Sequence, residues 1–257
     1  QNQGRWTNDQ TTAPAVRELV KYAINYVNRE RRRLFSEVLE PLRDRYGASE
    51  LTRVEQSLSI YLGEQPANIP DARQQPKFLY FAGVPSQPYY ERSRFPWLEA
   101  LEQATDDIRG ELEEQLGAAR DLEPFLGTSA GAATGEMLKS WGKDEAAWDA
   151  YFFYRHGKRY DDHCAACPIT AGILDRLPLV RIRDHAPETL FSVLRPGTHI
   201  LPHRGVTNTR LVTHLPLIVP DHCAINVGGQ EHVWQPGKCV TFDDTFLHEA
   251  WNRSGET

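Results

Sequence analysis

The strongest constraint on this chain lies in its last third. From about residue 177 onward, short β-prone pieces alternate with turn signals, and no helix-length apolar periodicity comes between them. The pieces fall at residues 179–182, 189–194, 210–219, 223–227, 232–234 and 239–242. Gly228-Gly229 between two of them predicts a hairpin, because consecutive glycines accept the positive φ angles of a tight turn. Many short strands without crossover helices predict a mainly β domain of the sandwich or jelly-roll kind. All nine histidines lie between His156 and His248, so imidazole chemistry belongs to this half of the chain.

The front of the chain reads as helix. Pro14 suits a first helical turn, and Val16, Leu19, Val20, Ala23, Ile24 and Val27 follow on one face. A second helix is expected over Leu34, Val38, Leu39 and Leu42, ending near Gly47, and a third over Leu51, Val54, Leu58 and Tyr61. Residues 1–65 thus form an expected α-helical module, akin to a remnant of a helical repeat, although no repeat period is visible. Residues 65–75 read as a linker on their prolines. Residues 76–257 form the expected second domain, with its β core from about 177. Its earlier part has a predicted strand at 77–81, a helix at 97–116 and a Gly/Ala/Ser/Thr-rich loop at 127–137.

Composition removes several classes. A net charge of −6 argues against a broad nucleic-acid surface. The longest apolar run, 215–219, is far short of the roughly 20 residues of a bilayer span. Four cysteines do not make a disulfide scaffold. The expectation is a cytoplasmic protein with no membrane anchor and no nucleic-acid partner.

Three constellations could carry chemistry. Cys164-Ala-Ala-Cys167, beside His163, offers part of a zinc or redox site. It lacks a second ligand pair, and packing cysteines are the plain reading. In residues 196–214, His199, His203 and His214 fit either ligands at a strand end or hydrogen-bonded histidines beside a loop. In residues 240–252, a strand turns at Asp243-Asp244 and leaves with His248. His203 and His248, about 45 residues apart, could meet across a jelly-roll mouth, and imidazole alone would suit iron, zinc or copper.

Together, PGTHILPHRGVTNTRLVTHLPLIVP and WQPGKCVTFDDTFLHEAWN resemble the aspartyl/asparaginyl β-hydroxylase family of iron(II)- and 2-oxoglutarate-dependent oxygenases. The resemblance is firm from about residue 189 to 257 and fainter from about 78 through the CPIT at 167–170. It implies a mainly β, double-stranded β-helix (jelly roll, cupin-like) domain with flanking helices. It also implies that His203 and His248 hold the iron. The carboxylate usual two residues after the first histidine is Gly205 here, and the family is similar in lacking it. Asp243 and Asp244 are then turn residues behind the ligands. Ser192 and His214 match positions that contact 2-oxoglutarate. Arg210 could bind a cosubstrate or substrate carboxylate or stand as a solvated edge residue, and Val212 replaces a residue basic in some relatives. The family's arginine for the far carboxylate stands about ten residues after the distal histidine. Counted from His248, that position falls just past Thr257, and we expect the chain to be cut short of it and of a closing strand.

The resemblance implies a dioxygenase that consumes O2 and 2-oxoglutarate and hydroxylates an unactivated carbon. The expected substrate is Cβ of an aspartyl or asparaginyl residue in a peptide or protein. The alternatives are a lipid acyl chain, a small metabolite, a non-catalytic jelly-roll binding module, or a zinc hydrolase built on His199, His203 and His248.

Overall fold

A computed structural model describes residues 12–118, 121–126, 137–141 and 145–257. The expected loop at 127–137 lies, apart from Met137, outside the described residues. The chain divides into two compact units, one holding the residues up to Ile69 with Phe78–Val84, the other Pro70–Lys77 with Pro85–Thr257.

In the helical unit, α1 (Pro14–Tyr46) is one helix where two were expected. The polar stretch between the two apolar faces does not interrupt it. Glu30, Arg33 and Glu37 are spaced to pair along one face, at 3.0 and 2.6 Å, and such i,i+3 and i,i+4 pairs favour helix. Gly47, at φ +86°, ends α1. A short 3-10 turn then leads into α2 (Thr52–Tyr61). Leu58 of α2 and Leu62 just past its end bury against Leu39 of α1, and Arg43 pairs with Glu55 at 2.7 Å. The expected strand at 77–81 does not form. The backbone of Ala82 bonds instead to α2 side chains: its N–H donates to Ser57 Oγ, and its carbonyl accepts from Arg53 Nε.

The second unit carries α3 (Leu98–Gln103) and α4 (Thr105–Ala118) where one helix was expected. The Thr105 hydroxyl bonds back to the Glu102 carbonyl at 2.6 Å, competing with the backbone at the break. Two short helices follow later, α5 (Asp161–Ala166) and α6 (Pro168–Leu174).

The strands are β1 (Tyr89–Tyr90), β2 (Glu123–Pro124), β3 (Leu138–Ser140), β4 (Trp148–Arg155), β5 (Lys158–Arg159), β6 (Thr189–Leu194), β7 (Thr198–His203), β8 (Val212–His214), β9 (Cys223–Val227), β10 (Gln230–Val233), β11 (Val240–Phe242) and β12 (His248–Asn252). They form antiparallel sheets ordered β1-β11-β8, β10-β9-β12-β7-β3 and β2-β4-β5 with β6 against β4. The second unit is therefore mainly β with flanking helices, and none of these sheets closes on itself. The glycine hairpin joins β9 to β10, with Gly228 and Gly229 at φ +60° and +82°.

Three strand expectations change. Residues 179–182 lead into a turn closed by Ile182 and Ala186. Of 210–219 only β8 pairs, because the following run meets Pro216 and Pro220, which cannot donate to a ladder. The eight-residue β4 was not foreseen. Residues 149–154 are all buried, so the strand shows no alternation of apolar and polar side chains.

A core cluster lies between the three- and five-stranded sheets, where Phe242 meets Ile200, Ile225, Val227 and Ala250. A second packs β4 and β6 against α4, α5 and α6, and takes in both Cys164 and Cys167. These two thiols are free and buried, and burial raises their pKa, for Cys167 to about 11. That environment makes inert packing thiols.

Candidate metal centre

Strands β7 and β12 run antiparallel with His203 opposite His248. The register shifts between His248 and Ala250, a bulge of the kind that re-aims side chains. The two rings lie 4.1 Å apart between centroids.

Each ring is oriented by the backbone carbonyl two residues before it. His203 Nδ1 is 2.8 Å from the Leu201 carbonyl, and His248 Nδ1 is 3.0 Å from that of Phe246. A carbonyl can only accept, so Nδ1 carries the proton in both rings and Nε2 keeps its lone pair. Burial pushes the His203 pKa down to about 4, aided by repulsion from His248, and burial lowers His248 as well. Both imidazoles are thus neutral near pH 7, the form that binds a metal.

Gly205 follows two residues after His203. A Cβ at this position would run into the Asp244 carboxylate. The two backbones also meet, since Gly205 N–H donates to the Asp244 carbonyl at 2.6 Å. Asp244 Oδ2 accepts from Arg210 Nη2 at 3.0 Å, while Oδ1 is buried without a partner among the described residues. Burial raises the Asp244 pKa and the Arg210 charge opposes it. Asp243 organises the turn: Oδ1 accepts from Thr245 N–H and hydroxyl, and Oδ2 from the buried Gln74 amide at 2.6 Å.

The other candidate residues are placed as follows. His214, on β8, stands 5.0 Å from the Phe242 ring, which stands 5.9 Å from His248. Burial pushes its pKa down to about 4. Ser192, on β6, is exposed and accepts from the Trp148 indole at 2.8 Å. His199 faces Glu249 at 2.7 Å and stacks on Trp141. Among the described residues no group of three or more His, Cys, Asp or Glu is arranged to hold a metal ion. The structure therefore joins His203 to His248 and Arg210 to Asp244 beside Gly205, with His214 one aromatic ring away and Ser192 set against Trp148.

Sequence reasoning missed the segment Pro70–Lys77, which had read as linker as far as Gln75 and as the start of a strand at Lys77. Gln75 N–H donates to the Thr245 carbonyl and Lys77 N–H to that of Gly205, so the segment lines the turn behind both histidines. No motif marks it. The one usable signal was Gln74, a buried amide that needs partners.

Sheet order and site together define an antiparallel β protein that can offer two imidazole nitrogens to one metal ion. Residues 102–257 match the family described as Aspartyl/Asparaginyl beta-hydroxylase, and the chain belongs to that family. It is 33% identical over 182 residues to an ornithine lipid ester-linked acyl 2-hydroxylase of Rhizobium tropici, covering 70% of this chain and 60% of that protein. It is 29% identical over 218 residues to aspartate beta-hydroxylase domain-containing protein 2 of Xenopus tropicalis, covering 83% and 55%. With the aspartyl/asparaginyl beta-hydroxylase of Homo sapiens it shares 33% over 110 residues, or 42% of this chain and 14% of that protein. The chain thus spans little more than half the length of the first two relatives.

Proposed function

We propose that this chain is an iron(II)- and 2-oxoglutarate-dependent dioxygenase that hydroxylates an unactivated carbon, built on a jelly roll whose mouth carries His203 and His248. The observation that carries this reading is the histidine pair, both rings neutral and each held through Nδ1 by a backbone carbonyl. Iron(II) would be held by the two Nε2 atoms. When bound, it supplies, with 2-oxoglutarate and O2, the oxidising power for C–H hydroxylation, yielding succinate and CO2.

The remaining residues bind and orient. His214 is a neutral imidazole that can donate one N–H to a carboxylate. The Ser192 oxygen is occupied by Trp148, which leaves its hydroxyl hydrogen free to donate. Arg210 is held by Asp244 beside Gly205, so its charge stands next to the histidine turn. With no side chain at Gly205, the two histidines are left without a neighbouring carboxylate ligand on that turn.

The first substrate reading is Cβ of an aspartyl or asparaginyl residue in a peptide or protein, supported by the family and the human relative. A lipid acyl chain is the second, favoured by the bacterial relative, which aligns over 70% of this chain against 42% for the human one. Turnover of an Asp/Asn peptide library and of a lipid extract, with mass detection of one added oxygen, separates them. Succinate formation from 2-oxoglutarate and iron(II) tests the reaction itself. Wild type should form succinate, while His203→Ala and His248→Ala should not. Near-normal turnover in either variant would overturn the assignment, and no turnover in wild type would favour a non-catalytic binding module.

A further inference from the structure

The proposed site makes no use of α1, and α1 is where the protein leaves most apolar surface uncovered. Ten of the eighteen exposed large hydrophobic side chains among the described residues belong to this helix. Within the helical unit, contacts from the α2 side fall on its C-terminal half, at Arg32, Phe35, Leu39 and Arg43. The N-terminal half keeps Leu19 and Tyr22 at 66% and 67% exposure, with Val16, Tyr26 and Val27 also exposed. At 3.6 residues per turn these five fall within about 140° of the circumference, forming a strip some 18 Å long. Contiguous exposed apolar surface of this kind marks an interaction site.

The flanks say what kind. Arg29 and Arg31 fall on opposite sides of the strip, and the Arg29 guanidinium lies 5.3 Å from the Tyr26 ring centroid. Residues 14–33 carry six basic and two acidic side chains; with Glu37 and Glu64, which pair with Arg33 and Arg32, the local charge is +2 in a chain whose net charge is −6. A second copy pairing through the same half would set +2 against +2. An anionic headgroup layer would neutralise it, and each basic residue near such a layer contributes about 1 kcal/mol. Tyrosines such as the adjacent Tyr22 and Tyr26, whose ring centroids are 6.5 Å apart, suit the boundary between headgroups and acyl chains. No helix of the described residues is long and apolar enough to cross a membrane, and a helix lying in the interface does not need to be.

We propose that the N-terminal half of α1 docks this protein on an anionic lipid surface, with the strip from Val16 to Val27 facing the acyl chains and Arg29 and Arg31 at the headgroups. The inference is independent of the substrate assigned to the histidine site.

Full-length protein is sedimented with phosphatidylcholine vesicles, with and without phosphatidylglycerol, at low and high salt. Two variants are compared, Leu19→Gln/Tyr26→Gln and Arg29→Gln/Arg31→Gln. All four positions are exposed, and circular dichroism confirms that the helix content is kept. Binding is expected only with phosphatidylglycerol present, released by salt, and weakened at least about tenfold in both variants. No association with the anionic vesicles, or equal binding by wild type and variants, would overturn the proposal. So would a lipid-free dimer that the Leu19→Gln/Tyr26→Gln change dissociates, since it would assign the strip to a second copy.

Discussion

Gly205 and Asp244 share one volume: the Asp244 carboxylate lies where a side chain at position 205 would begin. A carboxylate is therefore present beside the histidine turn, but it is supplied by the loop before β12 and tied to Arg210. Only glycine at 205 leaves it that place.

Gly205→Ala should consequently destabilise the protein by about 1–3 kcal/mol through overpacking. Combining it with Asp244→Ala should cost less than the sum of the two single changes, because the second removes what the first collides with. Urea denaturation of the four-member cycle measures this. Additive costs would contradict the shared volume.

Acid should weaken the metal-free protein before it affects carboxylates. The pKa values of His203 and His214 fall to about 4 from an ordinary 6.5, and His248 and His232 move the same way. Between pH 6.5 and 4 the unfolded chain then binds more protons than the folded one. Stability is full above about pH 6.5 and is lost as pH falls towards 4. Denaturation midpoints at pH 7.5 and 4.5 should show this slope, and His214→Gln should flatten it. An unchanged midpoint across that range would count against the burial of these rings.

Glu111 holds the start of α6. From α4, its carboxylate accepts from Ile169 N–H at 2.7 Å, and from Thr170 N–H and hydroxyl at 2.8 and 2.6 Å. Glu111→Ala leaves two first-turn N–H groups unpaired, that of Thr170 buried and that of Ile169 part-buried, at a cost of about 2–4 kcal/mol. Thermal unfolding should register that loss while metal affinity stays at the wild-type value. A cost below about 1 kcal/mol would show that water replaces the carboxylate.

Cys164 and Cys167 should resist alkylation by iodoacetamide in the native state and react on unfolding, because burial holds both as thiols. Rapid native labelling of either would reopen a redox role.

Legibility in the sequence followed local physics. Strands β6 and β9 and the Gly228-Gly229 turn were readable because β-branched and apolar residues stand between strong turn formers. β4 was not, since Tyr151, Phe152 and Phe153 are buried in succession and a fully covered strand has no two-residue period. His203 and His248 could be named from motif and resemblance, yet their shared tautomer depends on carbonyls two residues upstream, one in β7 and one in the loop before β12, that only the folded backbone brings into place. The strap at Pro70–Lys77 was hard to read, because apart from the side chains of Gln74 and Arg73 its contacts are backbone bonds to Thr245 and Gly205, which leave no trace in residue type.

The central claim is that His203 and His248 are metal ligands, and anaerobic iron(II) titration by calorimetry tests it most directly. One iron should bind per wild-type chain, with 2-oxoglutarate altering the isotherm, and His203→Ala and His248→Ala should each lose at least about a hundredfold in affinity. Wild type that binds no iron, or either variant binding it as wild type does, would contradict the account.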